Sequence, residues 1–377
     1  MMHTRPYPPT EPFEVNPADT VADVLAKMQK ISFQGRELGN AFDVWRQMIE
    51  DECTIWLGLS GAMTAGGMRR IVRYLIEHRL IDALVSTGAN VFHDIYECLG
   101  TPHFLGDPEE DDIHLREQRL DRVYDTYLDE DVFRVIDHWV MDWAYTKLEP
   151  RPYSSREFFF ELGRTLSTSA REEGILTAAF RAGIPIYCPA IVDSSFGLAL
   201  AGREDKKTPP FLFDLVRDVE ETAMIFEFSK ETGVIYIGGG TPKNFIQQSA
   251  IIIDHAEDRG HKYGIQITAD APHWGGLSGC TFSEAKSWGK IHPRAKMATV
   301  RADATVAFPF LVTAVADAGR ELLKRRRKPS FKNGRELEFD GHTLARWTAS
   351  FSDKQKLQQT IREAKLPDLL RSGIEEA

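Results

Sequence analysis

A carboxylate, an indole and an amine occur in one short stretch, and this combination could support covalent chemistry. Ser283 is a candidate N-cap of a short helix on which Glu284 and Trp288, four residues apart, share one face. Gly289 is typical of a helix end, and Lys290 follows it directly. Desolvation beside an aromatic ring makes a lysine more nucleophilic by lowering its pKa, whereas a nearby carboxylate opposes that shift. Because most lysines are solvated surface charges, the spacing alone leaves the role of Lys290 open.

A glycine-rich loop precedes this helix, and its backbone amides are free to meet an anion. The loop is Trp274-Gly275-Gly276-Leu277-Ser278-Gly279-Cys280. A dinucleotide or phosphate site is usually marked by a GxGxxG or GxxxxGK[ST] motif that opens a helix. Residues 61–67 and 238–240 match the first motif only in part, and the second is absent. The glycines alone are therefore weak evidence for a bound nucleotide.

The composition argues against several classes of protein. Of the 377 residues, 42% are apolar and 27% are charged, which is ordinary for a soluble globular protein. The net charge of −10 argues against a nucleic-acid binder. The four cysteines form no CxxC pair, so neither a metal site nor a disulfide framework is indicated. Without an apolar signal region or a bilayer-length apolar run, the chain is predicted to be cytoplasmic and to make no membrane contact.

Short apolar strands alternate with helices along most of the chain. Strands are predicted over 54–61 (with a glycine turn), 80–85, 183–190, 232–237, 262–268 and 297–300. Helices are predicted over 20–52 (two helices), 67–78, 130–147, 154–173 and 209–228, then after 242 and from 304. This alternation is typical of an α/β fold with a parallel Rossmann-like sheet and helices on both faces. Residues 101–130 are acidic and are predicted to form an irregular surface excursion.

Polar residues and glycines follow the predicted strands at their carboxyl ends, where parallel sheets bind ligands. They are Ser60-Gly61, Thr87, Asp193, Gly238 to Gly240 and Thr268. Their convergence predicts one site at this edge. Taken alone, Asp193 or Asp303 is explained about equally well as a cap at the end of a strand and as a ligand-binding residue.

Three regions are predicted along the chain. Residues 1–18 are a mobile lead-in, residues 19–325 form a single α/β domain with a helical start, and residues 326–377 form an extension with one helix over 353–364. The basic run 324–328 fits the last turn of a helix before a proline stop better than a nuclear targeting signal.

The stretch from Glu284 to Ile291 closely resembles the signature of the deoxyhypusine synthase family. Further matches, over roughly residues 32–320, are Ser32-Phe33-Gln34-Gly35-Arg36, Ser86-Thr87-Gly88, Arg119-Leu120-Asp121-Arg122-Val123, Cys188-Pro189-Ala190-Ile191-Val192-Asp193, Ile237-Gly238-Gly239-Gly240 and Ala302-Asp303-Ala304. The resemblance implies an enzyme that binds NAD between paired subunits of a homotetramer. It also implies that Lys290 forms a covalent imine with a fragment of spermidine.

The resemblance assigns roles to further residues. The implied NAD-binding positions are Thr87, Asp193, Gly239, Thr268, Ala269, Ser278 and Asp303. The implied substrate positions are Glu284, which would pair with an ammonium group, Trp288, which would shape the slot for methylenes, and Asn244. In the implied reaction spermidine loses a hydride to NAD, Lys290 attacks the resulting imine, and 1,3-diaminopropane leaves. The four-carbon group then passes to an acceptor amine and the hydride returns.

Several positions depart from the pattern of the eukaryotic synthases. Where those synthases usually have acidic residues, this chain has Leu198, Leu277, Trp274 and His93. It also has Ala62 in place of an asparagine and Asn244 in place of a histidine. Because each ammonium group of a polyamine needs a partner, the amine-recognition shell has been rebuilt. This pattern is similar to that of the deoxyhypusine-synthase-like proteins of bacteria. The acceptor is then putrescine, which would give homospermidine, or a protein lysine.

Two other functions compete with that of an aminobutyl transferase. A binding protein for NAD or polyamines without turnover is favoured by the lost acids, but it is opposed by the retained block from Glu284 to Lys290. An NAD-consuming deacylase lacks support, because no suitable catalytic histidine motif occurs.

Overall fold

The structure is a computed structural model that describes residues 7–203, 207–252 and 259–344. Numbered along the chain, the strands of its central sheet are β1 (Thr54–Leu59), β2 (Ala83–Ser86), β6 (Ile186–Tyr187), β7 (Thr232–Ile237), β8 (His261–Ile267) and β9 (Ile291–Val300). All neighbouring pairs are parallel, and the order across the sheet is β6-β2-β1-β7-β8-β9. The strands are added first on one side of β1 and then on the other, as in a Rossmann-like sheet. The predicted fold class is confirmed.

Helices connect these strands throughout the described residues. They are α1 (Val21–Met28), α2 (Phe33–Glu50), α3 (Arg69–Glu77), α4 (Gly88–Cys98), α5 (Asp112–Glu117), α6 (Glu130–Lys147), α7 (Ser155–Ser169), α8 (Ile175–Ala182), α9 (Ser195–Ala201), α10 (Leu215–Phe228), α11 (Gly240–Gln248), α12 (Phe282–Ser287), α13 (Ala304–Ala318) and α14 (Arg320–Arg325). A π-helical turn over Thr64–Met68 precedes α3, and a 3₁₀ turn over Pro272–Trp274 lies in the glycine-rich loop.

Side chains of the central strands point alternately into two apolar cores, as the pleat of a strand requires. In β1, Ile55 and Leu57 belong to the larger core, whereas Trp56 between them belongs to the smaller one. Helices α2, α3, α7, α8 and α13 contribute to the larger core, and α10, α11 and α12 contribute to the smaller one. Helices therefore cover both faces, as predicted, and α11 and α12 lie on the same face.

Residues 101–130 are more ordered than the sequence predicts. They contain α5 and a small antiparallel sheet of β3 (Phe104–Leu105), β4 (Leu120–Val123) and β5 (Thr126–Asp129). The expectation of an irregular excursion is therefore wrong. The sequence does not indicate these strands because they have only two to four residues and no continuous apolar run. Polar contacts contribute instead, since Arg122 on β4 pairs with Asp112 at 2.7 Å.

Other predicted elements differ from the structure mainly in length. The predicted helix 130–147 and strand 232–237 agree with α6 and β7. The predicted strand 183–190 is reduced to the two-residue edge strand β6. The helix predicted from residue 209 begins only at Leu215, after the N-cap Asp214.

The end of the described chain packs back onto the domain. Helix α14 carries Lys324 and Arg325 in its last turn, which confirms the predicted basic helix end. Beyond it, β10 (Phe331–Lys332), β11 (Glu338–Phe339) and β12 (His342–Thr343) form an antiparallel sheet. The helix predicted over 353–364 lies outside the described residues. The mobility of residues 1–18 and the boundary between 19–325 and 326–377 stay predictions. Across the ranges that the structure describes, no helix has the length and apolarity needed to cross a membrane.

Candidate active site

Helix α12 is fixed at its start by a reciprocal capping box. The N-cap is Thr281, whose hydroxyl accepts a hydrogen bond from the Glu284 amide at 3.1 Å. The Glu284 carboxylate in turn accepts from the Thr281 amide at 2.6 Å and from its hydroxyl at 2.9 Å. These hydrogen bonds lower the pKa of Glu284, so the carboxylate is charged at neutral pH. The expectation that Ser283 caps the helix is wrong, although the T-x-x-E spacing of the true box is visible in the sequence.

Lys290 leaves the end of this helix in a defined position. Gly289 has φ +71°, so the predicted left-handed helix end is confirmed. The Lys290 amide donates to the carbonyl oxygen of Ala285 at 3.1 Å, which folds the chain back against the helix. The Lys290 Nζ donates to Asn244 Oδ1 at 3.0 Å and lies 5.4 Å from the centroid of the Trp288 ring. The amine is therefore held between an amide oxygen of α11 and an indole of its own segment.

These side chains open into one cavity of about 400 Å³ between α11, α12 and the glycine-rich loop. The described residues that line it are Lys243, Asn244, Gln247, Gln248, Pro272, Gly275, Gly276, Leu277, Cys280, Glu284, Ala285, Trp288 and Lys290. The structure thus brings together Lys290 and the three residues predicted to bind substrate. Asn244, which the sequence predicts to bind substrate, accepts a hydrogen bond from the Lys290 amine itself.

A second lysine in this cavity was missed by the sequence reasoning. Lys243 on α11 is only 1% exposed, and its Nζ donates to Gln266 Oε1 at 2.9 Å and to the carbonyl oxygen of Cys280. Burial lowers the pKa of Lys243 to about 8, against the opposing effect of Cys280 and Glu284. The only sequence signal for it is its position three residues after the glycine run that ends at Gly240.

Three of the predicted NAD-binding residues contact one another at the carboxyl edge of the sheet. The Ser278 hydroxyl accepts a hydrogen bond from the Gly240 amide at 3.1 Å, and the Thr268 hydroxyl lies 3.5 Å from the Ser278 carbonyl oxygen. A Cβ on Gly239 would lie 2.5 Å from Ser278 Cα, so only glycine fits there. Because Ser278 lies between the cavity residues Leu277 and Cys280, this edge and the cavity share one loop.

The other predicted NAD-binding residues follow neighbouring strands at the same edge. The Thr87 hydroxyl donates to the Gly61 carbonyl oxygen at 2.6 Å and accepts from Asn90 at 2.9 Å. Asp303 caps α13, and hydrogen bonds from Thr305 lower the pKa of its carboxyl group. The two remaining positions, Asp193 after β6 and Ala269 after β8, are exposed. None of these four residues lines the Lys290 cavity.

Lys290 itself approaches from the opposite end of the sheet, because it immediately precedes the first residue of β9. Its carbonyl oxygen accepts a hydrogen bond from the amide of His261, the first residue of β8. The predicted cofactor edge and the amine are therefore separated along the sheet, and the segment from Ser278 through α12 connects them.

The positions that depart from the family pattern lie in different surroundings. Leu277, 46% exposed, lines the cavity, whereas Leu198 and Trp274 are exposed outside its lining. His93 is buried, its Nδ1 lies 2.9 Å from His103 Nε2, and burial lowers its pKa to about 4. Among the described lining residues, Glu284 is the one carboxylate, beside two lysines.

The fold and the cavity define a Rossmann-like α/β protein with a lysine in the wall of a cavity that shares the glycine-rich loop with the carboxyl edge of the sheet. The family model described as deoxyhypusine synthase matches residues 23–315. A protein of Methanosarcina acetivorans named "Probable deoxyhypusine synthase 2" is 45% identical over 320 residues, covering 83% of this chain and 91% of that protein. The chain belongs to the deoxyhypusine synthase family, a family of transferases.

Two further comparisons agree with this assignment. A "Deoxyhypusine synthase-like protein" of Caulobacter vibrioides is 37% identical over 300 residues, covering 77% of this chain and 81% of that protein. A protein of Entamoeba histolytica, crystallised as a candidate deoxyhypusine synthase, superimposes with a TM-score of 0.55 at 18% identity and covers 81% of this chain and 95% of that one. At that identity the superposition supports the shared fold alone.

Proposed function

We propose that this protein is an NAD-dependent aminobutyl transferase of polyamine metabolism. It moves the 4-aminobutyl group of spermidine through an imine on Lys290 to an acceptor amine. Membership of the family supports the reaction type. The observation that carries the proposal is the Lys290 Nζ, held by Asn244 Oδ1 at 3.0 Å in a cavity that also contains Trp288 and Glu284.

The carboxyl edge of the sheet fits a dinucleotide. Glycines form the turn after β7, and Gly239 lets the loop at Ser278 lie directly against that turn, since a Cβ there would collide with Ser278. The residues that would hold NAD are Thr87, Asp193, Gly239, Thr268, Ala269, Ser278 and Asp303. When bound, NAD supplies the acceptor for a hydride from the carbon beside the secondary amine of spermidine, and later the source of that hydride.

Lys290 performs the covalent step. Its neutral Nζ attacks the carbon of the substrate imine, the bond from that carbon to the departing nitrogen breaks, and 1,3-diaminopropane leaves with the proton that the lysine gives up. The four-carbon amine is then held on Lys290 as an imine. Asn244 orients the amine for attack, and the Trp288 ring packs against the methylenes. The charged Glu284 pairs with the terminal ammonium.

The acceptor is proposed to be a small amine such as putrescine, with homospermidine as the product. Leu277 and Asn244 leave the described lining with a single carboxylate, which suits an amine with few charges better than a basic protein segment. A protein lysine is the second acceptor considered. We also propose that the protein is a homotetramer located in the cytoplasm. The apolar surface that Trp274, Leu277 and Trp288 expose around the cavity supports the association of subunits.

A binding protein without turnover is the second candidate function. It is favoured by one observation, the engagement of the Glu284 carboxylate in the cap of α12, which leaves two lysines in the cavity to repel a polyamine. Bound NAD or spermidine without any product would support it.

The products of the reaction test the proposed function. Purified protein incubated with NAD and spermidine is expected to release 1,3-diaminopropane, and added putrescine is expected to yield an equal amount of homospermidine. Mass spectrometry with isotope-labelled putrescine identifies the product. Release of neither compound, with spermidine and NAD still bound, would replace the transferase by the binding protein.

A further inference from the structure

Lys243 is a buried cation with specific partners. Its Nζ donates to Gln266 Oε1 at 2.9 Å and to the Cys280 carbonyl oxygen, and it lies 6.0 Å from the Tyr236 ring centroid and 5.9 Å from that of Phe282. A lysine at 1% exposure is costly unless its ammonium group is hydrogen-bonded. The bonds to an amide and to a main-chain carbonyl meet that requirement, so the side chain has one defined position.

Gln266 extends this network to the cofactor edge. Its Nε2 donates to the Gly238 carbonyl oxygen at 2.8 Å and to the Ser278 carbonyl oxygen at 2.9 Å. The Ser278 hydroxyl accepts from the Gly240 amide on the other side. The segment from Ser278 to Cys280 is therefore tied to β8 and α11 by side chains that are themselves buried.

The position of this segment decides where α12 begins. Cys280 directly precedes Thr281, the N-cap whose capping box includes Glu284. Helix α12 has only six residues, so a displacement at its start is carried to its end, where Lys290 meets Asn244. Lys243 and Asn244 are adjacent on α11. Lys243 holds the residue before α12, Cys280, and Asn244 holds the lysine after it, Lys290, so one helix contacts both sides of α12.

We propose that Lys243 is a positioning residue that couples the cofactor edge to the nucleophile. Its bond to the Cys280 carbonyl sets the place of α12, and Gln266 links that bond to Ser278 and to the glycine turn after β7. The inference rests on the proposed function insofar as Lys290 is the nucleophile. Without the ammonium group, the carbonyl of Cys280 and the amide oxygen of Gln266 lose a donor, and Lys290 loses its fixed distance from Asn244.

The test compares Lys243→Met with Lys286→Met. Lys286 is a suitable control because it lies on α12 and also donates to a carbonyl, that of Pro293 at 2.8 Å, but is exposed. In the protein without ligands, amide hydrogen exchange over residues 278–288 is expected to be about tenfold faster in Lys243→Met and unchanged in the control. With NAD and spermidine, the maximal rate of the Lys290 adduct is expected to fall about 30-fold. The half-saturating spermidine concentration should change less than threefold.

The outcomes separate this inference from the proposed function. Wild-type exchange and a wild-type adduct rate in Lys243→Met would overturn the positioning role while leaving the transferase intact. Faster exchange in the variant, with no adduct in the wild-type protein, would support the link and reject the transferase. Should Lys243→Met fail to fold, Gln266→Met removes the same connection from the other side. It is expected to give the same faster exchange, and unchanged exchange in that variant would contradict the link.

Discussion

Replacement of Lys290 by alanine is expected to lower turnover by at least about 10³-fold, because the covalent path then has no amine to carry the four-carbon group. Release of 1,3-diaminopropane and formation of the new amine should fall together. The affinity for NAD should change little, since none of the predicted NAD-binding residues contacts the Lys290 side chain through a described hydrogen bond. Product analysis and NAD titration measure the two effects.

Two matched variants distinguish the lost nucleophile from a disturbed cavity. Lys290→Arg keeps a cation that can donate to Asn244 and lie near the Trp288 ring, but it cannot form the imine, so it should be as inactive as the alanine variant. Lys286→Ala removes an exposed amine from α12, the helix that precedes Lys290, and should retain full activity. Substantial turnover in Lys290→Arg would mean that the amine acts only as a charge.

Arg326→Met is expected to destabilise the domain by about 3 kcal/mol, because it removes one partner of a fully buried ion pair. The side chains of Arg326 and Asp82 are both 0% exposed and are in direct contact. Arg326 also donates to the carbonyl oxygens of Arg79, at 2.7 Å, and of Cys53. Asp82 keeps Arg79 and the Ile55 amide as partners, which limits the cost.

The neighbouring Arg327 provides the control for this effect. Its side chain is 77% exposed and lies 3.8 Å from Asp340, so Arg327→Met should change stability by less than about 0.5 kcal/mol. Urea unfolding measures both variants. Equal stability of the two would show that residues from 326 onward contribute little to the domain, whereas the expected difference would tie the start of the predicted extension to the domain.

The sequence predicts the central sheet well because its strands are buried on both faces and read as apolar runs. Where burial is partial, the signal is lost. The strands β3, β4 and β5 carry exposed and charged residues, so their order depends on pairing and on contacts such as that of Arg122 with Asp112. The strand predicted over 183–190 is longer than the two-residue β6 because apolar residues continue beyond the paired residues.

The candidate site is predictable only in part, for a similar reason. The capping box and the helix end at Gly289 are local features, so the spacing of residues in the sequence indicates where the helix before Lys290 begins and ends. The partner of the Lys290 amine lies 46 residues earlier on α11, which no local pattern indicates. Lys243 was missed because a buried and an exposed lysine are identical in a helical sequence. Only the contacts of Lys243 with Gln266 on β8 and with Cys280 in the loop distinguish them.

Trapping of the covalent intermediate tests the central claim most directly. The protein is incubated with NAD and spermidine, reduced with borohydride, digested and analysed by mass spectrometry. A four-carbon amine adduct is expected on the peptide that contains Lys290, with none in Lys290→Ala. An adduct on another lysine, or active release of 1,3-diaminopropane without any adduct, would contradict the proposal that Lys290 carries the transferred group.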